Sequence, residues 1–289
     1  MSFRFVEDKI VYGEEDVPKF GELPFDHYVL ENWDIASPKS ESEQKADLVK
    51  AWLELGSQGR LRYHRMQEAV WSSGEVKLPE VPTGVPKNLQ TPQQRAETGN
   101  ESTSVMWVRT WYGDKDIERG QADAAYAKLC QHVGEDDEQF IKGNWAFEND
   151  ERLADNIVAP TATGVTPSYV QELFNRYPDV LEGGGGLRGN VVEYIESGRM
   201  AGKQHFMMII ADKRACETGA VLLLAIDDFG KMMPQRLRVK AGAVHISNNN
   251  WMDGQGLNEN FLEGEEGEQD YFLGDDAWTS PSFRIRPEN

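Results

Sequence analysis

The chain has 289 residues and carries 49 acidic against 30 basic side chains, a net charge of −19. That sign argues against nucleic acid, whose phosphates need a basic stripe, and against an anionic membrane surface. Hydrophobic residues make up 39% of the chain, enough to bury a core without disulfides or metal, so a disordered chain is excluded as well.

The length fits one large domain or two small ones. The two cysteines, Cys130 and Cys216, form neither a disulfide framework nor a zinc spacing, and no metal or cofactor is expected. Cys130 falls on the apolar stripe of a predicted helix and reads as a buried thiol. Cys216 falls in a short polar stretch, 213–219, where a reactive thiol is one reading, since Lys213 and Arg214 favour the thiolate. The first residues are acidic and lack an apolar core, so neither a secretory signal nor a transit peptide is predicted. Without a membrane-length apolar run, the expectation is a cytoplasmic protein.

In chain order, Phe3 to Tyr12 is compatible with a short hairpin, and 21–39 is mostly irregular. Ser40 and Glu43 form a capping box, followed by Leu48, Val49, Trp52, Leu53 and Leu55 at helical spacing. Gly56 and Gly59 are read as its end, and a second helix is predicted over 60–71. Residues 74–104 contain Pro79, Pro82, Pro86 and Pro92 amid polar residues and read as a linker or arm. A strand is predicted over 105–111, a helix over 121–132, and another helix opening at Thr166-Pro167 and ending at Pro178.

Residues 205–211 and 220–226 are almost continuous apolar runs, which predicts strands covered on both faces. Residues 236–240 alternate, which predicts one wet face or an edge. The connections 212–219 and 227–234 are eight residues each, shorter than a parallel crossover requires. The three strands therefore read as a buried antiparallel meander over 205–240. The fold class is α+β, a mixed sheet covered by helices, in a three-layered form if helices cover both faces. The implied organisation is an N-terminal helical extension packing on the core (1–75), a Pro-rich linker or arm (76–103), an α+β core domain (104–262) and an acidic C-terminal tail (263–289).

A meander places Asp212 and Asp227 at opposite ends of the sheet, which removes them as an acid/base pair. For Asp212 the favoured reading is an ion pair or a turn cap. Gly184, Gly186 and Gly189 spell a G-x-G-x-x-G but lack the upstream strand of a phosphate cradle, so residues 183–189 read as a flexible loop. The densest polar cluster is 245–253. Within it His245 is the candidate acid or base, and Asn249, Asn250 and Trp251 are candidate ligand contacts. The competing reading is a turn whose Asn side chains bond their own backbone.

A set of short motifs runs through 104–262: Arg109-Thr110 at a strand end, Ile210-Ala211-Asp212, Leu222 to Asp227, Leu237-Arg238-Val239, Asn249-Asn250, and Asn258 to Phe261. Together they resemble an uncharacterised domain family of bacterial and fungal proteins with no assigned activity. The resemblance implies the same α+β core and singles out Arg109 and the Asn-Asn segment. It does not extend to insertions around 134–165 and 178–204 or to the first 100 residues.

Two functions stay open. The favoured one is a small-molecule-binding protein or enzyme, its polar and aromatic pocket built from Arg109 and Trp111 on the 105–111 strand and from His245, Asn249, Asn250 and Trp251. The alternative is an acidic interaction or regulatory module with a basic protein partner and no catalysis.

Overall fold

The computed structural model describes residues 13–14, 17–72, 78–99, 105–113, 117–135, 146–148, 151, 164, 166, 168–181, 191–197, 203–259 and 269–273. The hairpin expected at 3–12 and the glycine loop at 183–189 lie outside them, as does most of the acidic tail.

The described elements are, in order, α1 (Pro24–Asn32), α2 (Glu41–Glu54), α3 (Gly56–Ser72), α4 (Pro92–Gly99), β1 (Val105–Arg109), α5 (Arg119–Glu135), β2 (Ala146–Glu148), α6 (Ser168–Arg176), α7 (Val191–Glu196), β3 (Phe206–Ala211), α8 (Lys213–Thr218), β4 (Ala220–Ile226), β5 (Met232–Lys240), a 3-10 turn (Ala241–Ala243), α9 (Val244–Met252) and β6 (Gln269–Leu273). The strands form one mixed sheet in the order β2-β1-β3-β4-β5-β6. β1 is parallel to both β2 and β3. β3, β4 and β5 make the predicted antiparallel meander, and β6 continues it.

Alternation along the strands sends side chains to two different cores. Met106, Val108, Phe206, Met208, Ile210, Leu222 and Leu224 point to one face, where they meet Phe25 and Val29 of α1, Trp52 of α2, Tyr63 of α3 and Phe174 of α6. Trp107, Met207, Ile209, Val221, Leu223, Leu237 and Val239 point to the other, against Tyr126 and Leu129 of α5, Ala215 of α8 and Val244 and Trp251 of α9. The protein is therefore α+β with three layers, and the central strands are apolar throughout because neither face meets water.

The capping box of α2 forms as predicted. The Glu43 amide donates to the Ser40 hydroxyl at 3.3 Å and the Ser40 amide to the Glu43 carboxylate at 2.9 Å. α2 ends at Glu54, just before Gly56 as expected, while Gly59 lies inside α3. Gly56 opens α3 with φ +60°, and a Cβ there would lie 2.7 Å from the Phe229 ring, so the glycine lets α3 dock on the β4–β5 turn. Asp228 in that turn accepts the Ser57 amide at 3.1 Å, and its carbonyl accepts from buried Arg60 at 2.6 Å.

The proline-rich stretch contains α4, which the proline count concealed. Its Arg95 forms a bidentate ion pair with Asp26, both N···O distances 2.9 Å, and also donates to the Pro18 and Lys19 carbonyls. Asp26 in turn accepts the Gly21 and Leu23 amides at the start of α1. Both side chains are about 95% buried, at 6% and 5% exposure, so the pair closes α1 and α4 together out of water.

Two further expectations change. β5 is not an edge, because β6 pairs along it, and the alternating Arg236 and Arg238 are buried rather than wet. Arg238 is neutralised by Asp212, and Arg236 donates to the Met233 and Gln235 carbonyls. The polar stretch after β3 is a short helix, α8. Asp212 caps its start by accepting the Ala215 amide at 2.8 Å, and Gly219, at φ +75°, closes its end. Asp212 is thus both a cap and an ion-pair partner. Register places Ile226 opposite Phe206, which puts Asp227 at the far end of the sheet from Asp212.

Two predictions concern this scaffold. D26N and R95M each strand a buried group, and each is expected to cost about 3–5 kcal/mol. The double variant is expected to lose less than the sum of the two, as read by urea denaturation. His27 on α1 is buried beside Asp26 and the Gly21 backbone. Burial lowers its pKa below the ordinary 6.5, against the opposing pull of Asp26, the Gly21 backbone and Glu31. Below 6.5 the unfolded chain takes up the proton first, so this contribution is complete above about pH 6.5 and is lost as pH falls beneath it. H27F is expected to flatten the stability profile between about pH 7.5 and pH 5.5, measured by denaturant melts at each pH.

Candidate functional site

The carboxyl ends of β1 and β3 lie side by side, with Arg109 opposite Ala211 and the Thr110 amide bonded to the Ala211 carbonyl at 3.1 Å. From β1 the chain goes through α5 to β2 on one side. From β3 it goes through α8 to β4 on the other. Adjacent parallel strands whose connections diverge open a crevice at their carboxyl ends, the place where α/β sheets hold ligands.

Arg109 occupies this point but is committed to the fold. Its Nε donates to the Trp111 carbonyl at 2.9 Å and its Nη2 to Asp123 of α5 at 2.6 Å. Its guanidinium stacks 4.3 Å from the Tyr112 ring and 4.4 Å from the Tyr126 ring. Arg119 sits on the other side of Asp123 at 3.1 Å and lies 4.8 Å from Tyr112. Burial alone would raise the Asp123 carboxyl, but the two arginines outweigh it and hold the pKa down. Trp107 donates to the Tyr126 hydroxyl at 2.9 Å, and burial pushes that phenol well above its usual range. This network locks α5 onto β1 and fixes the position of the helix face next to it.

That helix face lines an open cleft of about 350 Å³ between α5, α8 and the 3-10 turn. α5 contributes Ala125, Lys128, Leu129 and His132, at spacing i, i+3, i+4 and i+7 on one face. α8 contributes Ala215, Cys216, Glu217 and Thr218, followed by its cap Gly219. Lys240, Ala241 and Gly242 close the third side, held in place by the Ala241 amide donating to the Gly219 carbonyl at 2.8 Å. The buried lining residues of the cleft, Leu129, Ala215 and Ala241, are apolar, while Lys128, Lys240 and Glu217 are exposed and His132 half-buried.

Cys216 in this cleft is a free, half-buried thiol. Burial pushes its pKa up to about 12, opposed by the charge of Arg109 and reinforced by Asp212. The flanking Lys213 and Arg214 do not overcome that penalty, so the thiol is not an activated nucleophile. Cys130 lies buried in the same layer, and its pKa too is pushed up to about 12.

The sequence candidates at 245–253 form a helix, not a turn. Val244, Ser247, Asn248 and Trp251 are buried at i, i+3, i+4 and i+7, so the segment has a helical inner face whose middle positions are polar. Asn249 is exposed, and Asn250 and His245 are half-buried. The carbonyls of Asn249 and Asn250 accept the Asp253 and Gln255 amides. His245 Nδ1 and Ser247 Oγ are buried without a hydrogen-bond partner. α9 and Arg109 belong to the same layer. None of Arg109, Trp111, His245, Asn249, Asn250 or Trp251 lines the cleft between α5, α8 and the 3-10 turn. Of the cleft residues only Cys216 was singled out in the sequence; the others were missed because the lining spans three separated segments. The one legible signal was the Lys/His pair at 128 and 132 on an otherwise apolar helix face.

Among the described residues no three His, Cys, Asp or Glu side chains gather as a metal site, and no helix is long and apolar enough to cross a membrane.

With a pKa near 12, Cys216 holds only about one thiolate in ten thousand at pH 8. Its reaction with an aromatic disulfide reagent is expected to be at least a hundredfold slower than that of a small free thiol, and to become fast only in denaturant. Stopped-flow absorbance with a C130S background isolates the site. Comparison with protein-family models, curated proteins and solved structures gives no match, so the family resemblance rests on its short motifs alone.

Proposed function

We propose that this protein binds a small molecule in the cleft between α5, α8 and the 3-10 turn, beside the divergence of β1 and β3. The observation that carries the reading is the cleft itself. Its volume of about 350 Å³ suits a small ligand. It combines polar and apolar surface in similar amounts, and one wall is α8, which directly follows β3. The Arg109–Asp123–Tyr126 network supports the reading by holding one wall rigid, since a pre-formed site avoids the cost of ordering on binding.

Arg109 enters this function as a positioning residue, through Asp123 and Tyr126. Direct ligand contact falls to Lys128, His132, Lys240 and Cys216. A cytoplasmic location belongs to the same proposal and is supported by two free thiols, which a reducing compartment maintains. The alternative of an acidic interaction module has less support. The large apolar side chains exposed among the described residues are Ile35 in the α1–α2 connection, Met66 on α3, Phe229 in the β4–β5 turn and Ile246 on α9, four separate segments.

A ligand-observed NMR screen of small polar fragments tests the reading. A125F fills the cleft from the α5 side, and its thermal midpoint reports that the fold is kept. At least one fragment is expected to bind wild type and to lose more than tenfold in affinity in A125F. If every fragment that binds wild type binds A125F equally, or none binds, the cleft is not a ligand site.

A further inference from the structure

We infer that the ligand of this cleft is a small organic anion, a carboxylate or a phosphate monoester with a compact apolar body; this rests on the cleft being the binding site. The chain as a whole is acidic, with 49 acids to 30 bases, yet the cleft inverts that balance. Lys128 and His132 face it from α5 and Lys240 from the end of β5, against the single carboxylate of Glu217. At physiological salt, charges more than about 8 Å apart are largely screened, so the local cluster, not the net charge, sets the potential a ligand meets.

The positive groups come from two elements that the fold holds on facing sides. α5 is anchored by the Arg109–Asp123 pair at 2.6 Å. Lys240 ends β5, in register with Ala220 of β4, next to the Ala241–Gly219 backbone bond. An anionic group between Lys128 and Lys240 gains two cations from opposite sides. Ala125, Leu129, Ala215 and Ala241 then offer apolar surface to the rest of the molecule. A cationic ligand would find one carboxylate and meet both lysines. Glu217 is the internal competitor: it offsets part of the positive potential while the cleft is empty, so removing its charge strengthens anion binding.

The test uses three probes on the full chain: benzoate, benzamide and inorganic phosphate. Benzamide has the shape of benzoate without its charge. Binding is followed by amide chemical shifts of Cys216 to Gly219 and of Ala241 and Gly242. Benzoate, phosphate or both are expected to shift these amides saturably, with benzoate at least tenfold tighter than benzamide. K128Q and K240Q are each expected to weaken anion binding about two- to fivefold, the range of a single exposed charge pair, and E217Q to tighten it by a similar factor. Thermal midpoints of the variants confirm that the fold is kept. Benzoate binding alone assigns a carboxylate, and phosphate binding at equal or greater strength assigns a phosphate ester. Benzamide binding as tightly as benzoate, or anion affinity unchanged in K128Q and K240Q, overturns the anion assignment. In that case the A125F-sensitive fragments still decide whether the cleft binds ligands at all, so the two failures are separable.

Discussion

The constraint on which the structure depends is the burial of β3 and β4 on both faces. Met207 to Ala211 and Val221 to Ile226 have essentially no solvent contact. A strand of that kind is stable only if two independent layers cover it, and each large apolar side chain so buried contributes about 1.5–3 kcal/mol relative to an exposed one. The two layers come from different parts of the chain. α1, α2, α3 and α6 supply one, and α5, α8 and α9 the other. The N-terminal helices are thus half of the core's covering. The aromatic group of Phe25, Tyr28, Trp52 and Tyr63, whose rings meet at 5.2–6.0 Å, is the means of attachment.

A doubly covered sheet has little room for charge, and three of the buried arginines among the described residues are each met by a carboxylate. Arg238 projects onto the first face and is met by Asp212, which also caps α8. Asp26 and Arg95 close the edge of the same layer. Arg109 projects onto the second face, between two tyrosines and against Asp123. In each case a charge lies where a strand or helix end already needs a hydrogen-bond partner, so one side chain meets the demands of both backbone and ion pair. The cleft lies at the rim of the second layer, outside this buried set. There Lys128, His132 and Lys240 line open space.

Local rules written in neighbouring residues were legible. The capping box of Ser40 and Glu43, the apolar runs of β3 and β4, and the eight-residue connections that force antiparallel pairing all concern contacts near in sequence. The separation of Asp212 from Asp227 followed from them. The helix at 244–252 was illegible because Ser247 and Asn248 occupy inner positions that periodicity expects to be apolar, and tertiary packing overrides that pattern. α4 was hidden by proline and polar composition, its stability coming from Arg95 reaching 69 residues back to Asp26. The alternation of β5 read as an edge because an arginine buried by a distant carboxylate looks, in sequence, like one facing water.

By itself, then, the sequence determined the class of the fold, the meander at its centre, the need for helical cover and the loss of the obvious carboxylate pair. Each of these follows from side-chain polarity and chain length over a few residues. Tertiary structure alone decided which helices provide the cover, that Arg109 is spent on Asp123 and its tyrosines, and that a basic cleft opens between residues 125–132, 215–219 and 240–242. The cover by the N-terminal helices and the cleft depend on segments more than eighty residues apart meeting in space, and the Arg109 contacts depend on α5 folding back onto β1. No local pattern encodes that meeting, because what brings them together is the shared demand to cover the same two strands.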